Sequence, residues 1–234
     1  MATPAQIVGE LRDQWELLHT RLEDTADAVL AEQSSLPGWT VREVVAHLGV
    51  ALDPINRCEP CEPGGAEPVL SVGEYLAHYA ARAEAIAAKT QALAAEAEDV
   101  LTAVEPIADR ALQHAEVLVA NNAHTLVHTR YGAISVGDFL LTRLVELVVH
   151  GYDLAPALGD PVPVDSGARH LVAEALLQIV TERTGYRLLM ADEEAWILVA
   201  TGRISWDEAV RREAVRPEYP SDGLPDLAPH LPLL

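Results

Sequence analysis

Apolar residues recur at steps of three and four through Ile7, Leu11, Trp15, Leu18 and Leu22, which predicts an amphipathic helix from residue 4 to about 31. The turn Ser34-Ser-Leu-Pro-Gly-Trp39 comes next, with Pro37 and Gly38 as breakers. Thr40-Val-Arg-Glu43 has the S/T-x-x-E form of a capping box and opens a second helix carrying Val44, Val45, His47, Leu48 and Leu52. Residues 58–70 are Pro/Gly-rich and predict a loop. Ser71-Val-Gly-Glu74 opens an Ala-rich helix to about residue 97, and Pro106 is expected to interrupt the next stretch. Residues 111–131 fit helix or extended chain, with Thr125, Val127 and Thr129 favouring the extended form.

The next segment differs in kind. From Phe139 to Leu154 the chain is apolar on nearly every side, except for Thr142 and the series Arg143, Glu146, His150 and Asp153. Those four step by three, four and three, so they share one face of a helix. A helix apolar all round is a buried helix, and a buried carboxylate beside an imidazole is costly unless something pairs with both. Beyond Gly159, Asp165 caps a helix ending near Gly185, Asp192 opens another to about Ala200, and Ser205-Trp-Asp-Glu208 opens a short one. The tail from Arg216 is proline-rich and predicts coil on the surface. The pattern predicts a mainly α protein: four long helices before residue 160 forming a four-helix bundle (1–160), then a small helical C-terminal subdomain with its tail (161–234).

Composition sharpens this. Formal net charge is −20, from 36 acids against 16 bases, and Lys89 is the only lysine. Such a chain repels phosphate backbones and anionic membrane surfaces, which argues against nucleic-acid and membrane partners. The N-terminus lacks the basic start of a signal peptide and no run of 18 apolar residues occurs, so the cytoplasm is the expected location. Cys58 and Cys61 form one CxxC in the Pro/Gly-rich loop; it is compatible with redox chemistry, half a metal site, or neither.

Glu146 and His150, one turn apart, offer two ligands to one cation. A catalytic metal site takes three protein ligands and an open position, and His47, at the border of the second helix's apolar stripe, is the best third candidate. Without an ion, His47 is a core or boundary histidine and Glu146 pairs with Arg143. A competing pair, His124 and His128, has no carboxylate nearby. His19 and His78 lie on amphipathic helices with no partner pattern, and His114, His170 and His230 carry no signal.

Two segments carry a resemblance. Leu36-Pro-Gly-Trp-Thr-Val-Arg-Glu-Val-Val-Ala-His-Leu48 and Asp138-Phe-Leu-Leu-Thr-Arg-Leu-Val-Glu-Leu-Val-Val-His-Gly-Tyr-Asp-Leu154 resemble the two metal motifs of the DinB-like superfamily, and within it the mycothiol-dependent maleylpyruvate isomerase N-terminal domain, over about residues 5–160. The resemblance implies an up-and-down four-helix bundle holding one divalent metal, usually zinc, on His47, Glu146 and His150. It implies that Asp153 orients a ligand or a basic group. It also implies mycothiol as the thiol cosubstrate, activated by the metal to attack a small electrophile. The outcome is isomerisation if the thiol leaves again and S-transfer if it stays. The isomerase carries a basic catalytic residue in a larger C-terminal domain. Here Glu194 to Ala209 instead resembles the terminal helix region of actinobacterial sterol-carrier-like proteins, and Arg203 is the basic residue nominated for a substrate contact, with a helix C-terminal charge as the other reading. The alternative class is a non-catalytic metal-containing bundle that binds a small apolar ligand or a partner protein. Oligomeric state stays open, a homodimer included.

Overall fold

The computed structural model describes residues 2–61, 69–121, 125–219 and 221–234. The protein is mainly α. In chain order, α1 (Pro4–Glu23), α2 (Asp27–Leu30) and α3 (Val41–Leu52) precede two short strands, β1 (Glu59–Cys61) and β2 (Val69–Leu70). Then come α4 (Val72–Leu76), α5 (Ala83–Glu96), α6 (Val100–Asn121), the hairpin β3 (Leu126–Thr129) and β4 (Gly132–Ser135), and α7 (Val136–Leu158). The remainder is α8 (Ser166–Thr184), β5 (Leu188–Met190), α9 (Glu193–Ala200), α10 (Trp206–Arg211) and β6 (Val215–Pro217).

Helix starts obey the local signals. Thr40 accepts from the Glu43 amide while the Glu43 carboxylate accepts from the Thr40 amide at 2.7 Å, and the Ser71 and Glu74 pair closes the same box; each pairing satisfies amides a helix otherwise leaves orphaned. Asp165 caps α8, which stops at Gly185 with φ +75°, the left-handed conformation glycine tolerates.

Four helices form the bundle: α1 and α3 each pack against both α6 and α7. Several sequence expectations change. The first helix stops at Glu23 rather than near residue 31, where Thr25 Oγ1 donates back to the Arg21 carbonyl at 2.8 Å and the chain turns into α2. The expected helix over 71–97 breaks after Leu76 into α4, a 3-10 turn at Ala80–Arg82 and α5. The break brings Tyr75 and Tyr79 onto Arg143, whose guanidinium lies 5.6 Å from both ring centres, so a tertiary contact overrides high local propensity. The third bundle helix is therefore α6, and α5 lies outside against α3. Pro106 sits inside α6 instead of ending it: the missing amide costs one backbone bond, while Ala108, Ala111, Leu112 and Ala115 downstream are buried.

Residues 111–131 divide between the two readings: the chain is helical to Asn121 and extended in β3, where Val127 and Thr129 lie. In a four-stranded sheet of order β1-β3-β4-β2, β3 pairs antiparallel with β1 and β4, and β2 runs parallel to β4. After residue 160, α8 packs on α1, α7 and α9, and β5 pairs with β6. The buried apolar core is continuous from Ile7 to Leu233. The tail is anchored rather than merely draped: Leu227 and Leu233 are buried, and the Leu233 amide donates to the Ala200 carbonyl at 2.7 Å. Among the described residues no helix is long and apolar enough to cross a membrane.

Candidate metal centre

Helix α7 is apolar on all sides because α1, α3 and α8 surround it, and its polar stripe is buried with it: Arg143, His150 and Asp153 are 4%, 8% and 1% exposed. The capping box at Thr40 starts α3 in the register that aims His47 at this stripe. His47 Nε2 lies 3.2 Å from Glu146 Oε2, and His150 Nε2 lies 3.3 Å from the same oxygen. One ligand atom from each of the three residues falls within 4.8 Å of the other two. The imidazoles meet edge to face with ring centres 4.5 Å apart.

Each ring is held from behind. Nδ1 of His47 is 3.2 Å from Oγ1 of Thr90, a fully buried residue of α5. Nδ1 of His150 is 2.9 Å from Asp153 Oδ2, and Asp153 in turn receives Arg203 through Nε at 3.2 Å and Nη2 at 2.7 Å. A ring proton directed outward at each Nδ1 leaves both Nε2 lone pairs facing the Glu146 carboxylate. Three converging acceptors repel unless a proton or a cation lies among them, and a divalent ion satisfies all three at once. The donor set, two imidazole nitrogens and one carboxylate oxygen whose rings are oriented by outer hydrogen bonds, therefore fits such an ion.

With no cation among the three groups, a proton on Nε2 fills the gap instead, and the shifts reflect that state. Burial and the neighbouring His150 lower the pKa of His47. Burial opposes ionisation of Glu146, but hydrogen bonds from His150 and His47 outweigh it and hold the carboxyl well below the usual range. Asp153 is likewise lowered: burial raises it, and the His150 and Arg203 hydrogen bonds prevail. For His150 the carboxylates Asp153 and Glu146 overcome desolvation and raise the pKa.

His47 and Glu146 form part of the wall of a cavity of about 380 Å³. Its other lining is unusual for so acidic a chain. Arg57, Arg82, Lys89, Arg130 and Arg143 all face it, five of the sixteen basic residues, while Glu146 is its one acid among the described residues. Asp53, outside the lining, binds Lys89 at 2.7 Å and pairs with Arg57. Burial, then the charges of Arg57 and Arg130, lower the pKa of Lys89. Arg143 donates to the Ala51 carbonyl at 3.0 Å, to Thr142 Oγ1 at 3.1 Å and to the Tyr79 hydroxyl. It makes no carboxylate pair among the described residues, so the Arg143–Glu146 ion pair considered from sequence does not form.

The other candidates scatter. His128 lies on β3 at the cavity wall and is not part of the ligand cluster, and His124 falls outside the described residues. His19 binds Glu105 at 2.8 Å, His78 stacks on Tyr131 and His114 donates to the Cys58 carbonyl at 3.0 Å. Cys58 and Cys61 are free thiols; burial pushes Cys58 up to about 11, which keeps it protonated at neutral pH. Arg203 meets Asp153. Thr90 and the basic residues of the cavity other than Arg143 escape sequence reasoning, because they come from α5, the loop after α3, the turn before α5 and the β3–β4 turn, with no local motif.

Neither a curated protein nor a solved structure matches the chain. Residues 11–155 do match one family, and that span contains His47, Glu146, His150, Asp153 and every residue of the cavity wall. The chain belongs to the mycothiol maleylpyruvate isomerase N-terminal domain family.

Proposed function

We propose that this protein is a metal-dependent, mycothiol-using enzyme, a thiol transferase or isomerase whose substrate is a small electrophile bearing negative charge. The observation that carries the reading is the contact of a three-ligand donor set with a cavity lined by five cations. Two histidines and a carboxylate leave a tetrahedral ion one open position, and zinc suits that set. His47, Glu146 and His150 would hold the ion, with Thr90 and Asp153 fixing the two rings. A divalent ion held there supplies the Lewis acidity that keeps a thiol deprotonated at neutral pH. Arg143, Lys89 and their neighbours draw an anionic substrate into the cavity, while Ile86 and Phe139 limit the water beside it. Maleylpyruvate, the compound in the family's name, carries the charge such a cavity favours.

In this reading residues 1–160 hold the metal and the thiol. Residues 161–234 form an appendage in which the segment from Glu194 to Ala209, resembling sterol-carrier-like proteins, carries Arg203 in the turn after α9. A binding-module reading draws on a second, mainly apolar cavity of about 490 Å³ between α1, α4, α7 and α8. Catalysis is favoured because the charged cavity reaches the donor set.

The test is elemental analysis of purified protein beside His47→Ala, followed by thiol titration of both. About one divalent ion per chain, lost in the variant and spectroscopically perturbed by thiol, supports the reading. Metal that ignores thiol favours the binding module, and no metal in either protein sinks the enzyme reading.

A further inference from the structure

We propose that Arg203 is a positioning residue of the metal centre: acting through Asp153, it fixes the His150 ring, so that the segment after residue 160 controls how tightly the bundle holds its ion. The inference rests on the metal reading above.

The connection is continuous from the tail inward. The turn after α9 is closed by the Arg203 amide on the Leu198 carbonyl at 2.7 Å and the Gly202 amide on the Val199 carbonyl at 3.1 Å. Gly202 has φ +78°, and a β-carbon there would meet the Pro232 ring at 3.3 Å. The last residues thus pack directly on the turn, next to the Leu233–Ala200 hydrogen bond at 2.7 Å. Arg203 Nη1 donates back to the Thr201 carbonyl at 2.6 Å. That contact holds the guanidinium while Nε and Nη2 engage the two oxygens of Asp153. A forked pair restricts a carboxylate in both position and plane.

Asp153 needs that pair. It is 1% exposed, so its charge without Arg203 would keep only the hydrogen bond from His150 Nδ1. Oδ2 accepts from Arg203 and from His150 Nδ1 together. Moving the carboxylate therefore turns the imidazole, whose Nε2 points at Glu146. Hydrogen-bond partners of this kind change metal affinity by about 10- to 100-fold when removed.

The experiment measures cobalt(II) and zinc affinity of the full chain by chelator competition, with the visible spectrum of the cobalt form as a report on ligand geometry. Arg203→Ala is expected to bind about 10- to 100-fold more weakly with an altered cobalt spectrum, and Arg203→Lys, which keeps the charge but loses the fork, to fall between. Arg212→Ala removes an ion pair to Glu194 at 3.2 Å within the same appendage and is expected to leave both readouts unchanged. Wild-type affinity and spectrum in Arg203→Ala overturn the proposal. If that variant does not fold, wild-type behaviour of both Arg203→Lys and Asp153→Asn overturns it. A wild-type chain that binds neither ion defeats the metal reading, and the inference with it.

Discussion

Thr90 stands 3.2 Å from Nδ1 of His47, fully buried at the far side of the ring from Glu146. It comes from α5, outside the bundle, and among the described residues it is the hydrogen-bond partner of that Nδ1. Thr90→Val keeps the volume and removes the hydroxyl, leaving Nδ1 without a partner. Metal affinity is expected to fall about 10-fold or more, measured by chelator competition. An unchanged dissociation constant would show that packing alone orients His47.

Chelation should destabilise the fold. An ion that binds only the folded chain adds about 2.7 kcal/mol at a hundredfold excess over its dissociation constant. For a chain of this size that is roughly 5–10 °C in melting temperature. Thermal melts with and without chelator check it; coincident curves would exclude a tightly held ion.

Lys89 tests the charged cavity. Its side chain is half exposed and reaches Asp53 at 2.7 Å, so it can be removed with little cost to the core. Lys89→Ala is expected to raise the Michaelis constant of an anionic substrate about five- to tenfold, ~1–1.4 kcal/mol, with a melting temperature close to wild type. The wild-type constant should itself rise with salt as the cavity's field is screened. An effect of equal size on an uncharged substrate would contradict an electrostatic role.

The pH dependence of stability has a local source at Glu193, which binds His170 Nδ1 at 2.7 Å and Arg169 Nε at 2.9 Å. The Glu193 hydrogen bond, working against slight burial, raises His170. Glu193 itself is lowered, since the His170 and Arg169 hydrogen bonds exceed its desolvation. A raised histidine contributes stability below its ordinary value of 6.5 that is lost as pH rises through the folded value. A lowered carboxylate contributes above 4.5, and that part is lost as pH falls through its folded value. The pair therefore contributes most between those values. The His170→Gln variant should lower the melting temperature near pH ~5.5, and the deficit should fade as pH rises through the raised folded value of His170, beyond which both proteins carry a neutral side chain. A deficit independent of pH would point to lost packing instead.

Much of the site was legible in the chain because helical geometry is local. Arg143, Glu146, His150 and Asp153 share a face whatever surrounds them, since residues three and four apart stack, and their apolar neighbours announce burial. The Thr40 and Glu43 capping box set the start of α3 and so the direction of His47. The break after Leu76 was not legible, because Ala-rich sequence favours helix and only the pull of Arg143 on Tyr75 and Tyr79 argues otherwise, while at Glu23 the turn is marked by Thr25 bonding back to the Arg21 carbonyl.

By itself, then, the sequence determined the helical class, most helix starts and the polar stripe on α7, all consequences of spacing within a few residues. Only the tertiary structure decided that α6 rather than α5 completes the bundle, and that Thr90 and Arg203 stand behind the two imidazoles. It alone gathered scattered arginines and the lone lysine around one cavity. Those relationships join residues tens of positions apart, 50 in the case of Asp153 and Arg203, and such pairings are set by packing of the whole core rather than by any local pattern.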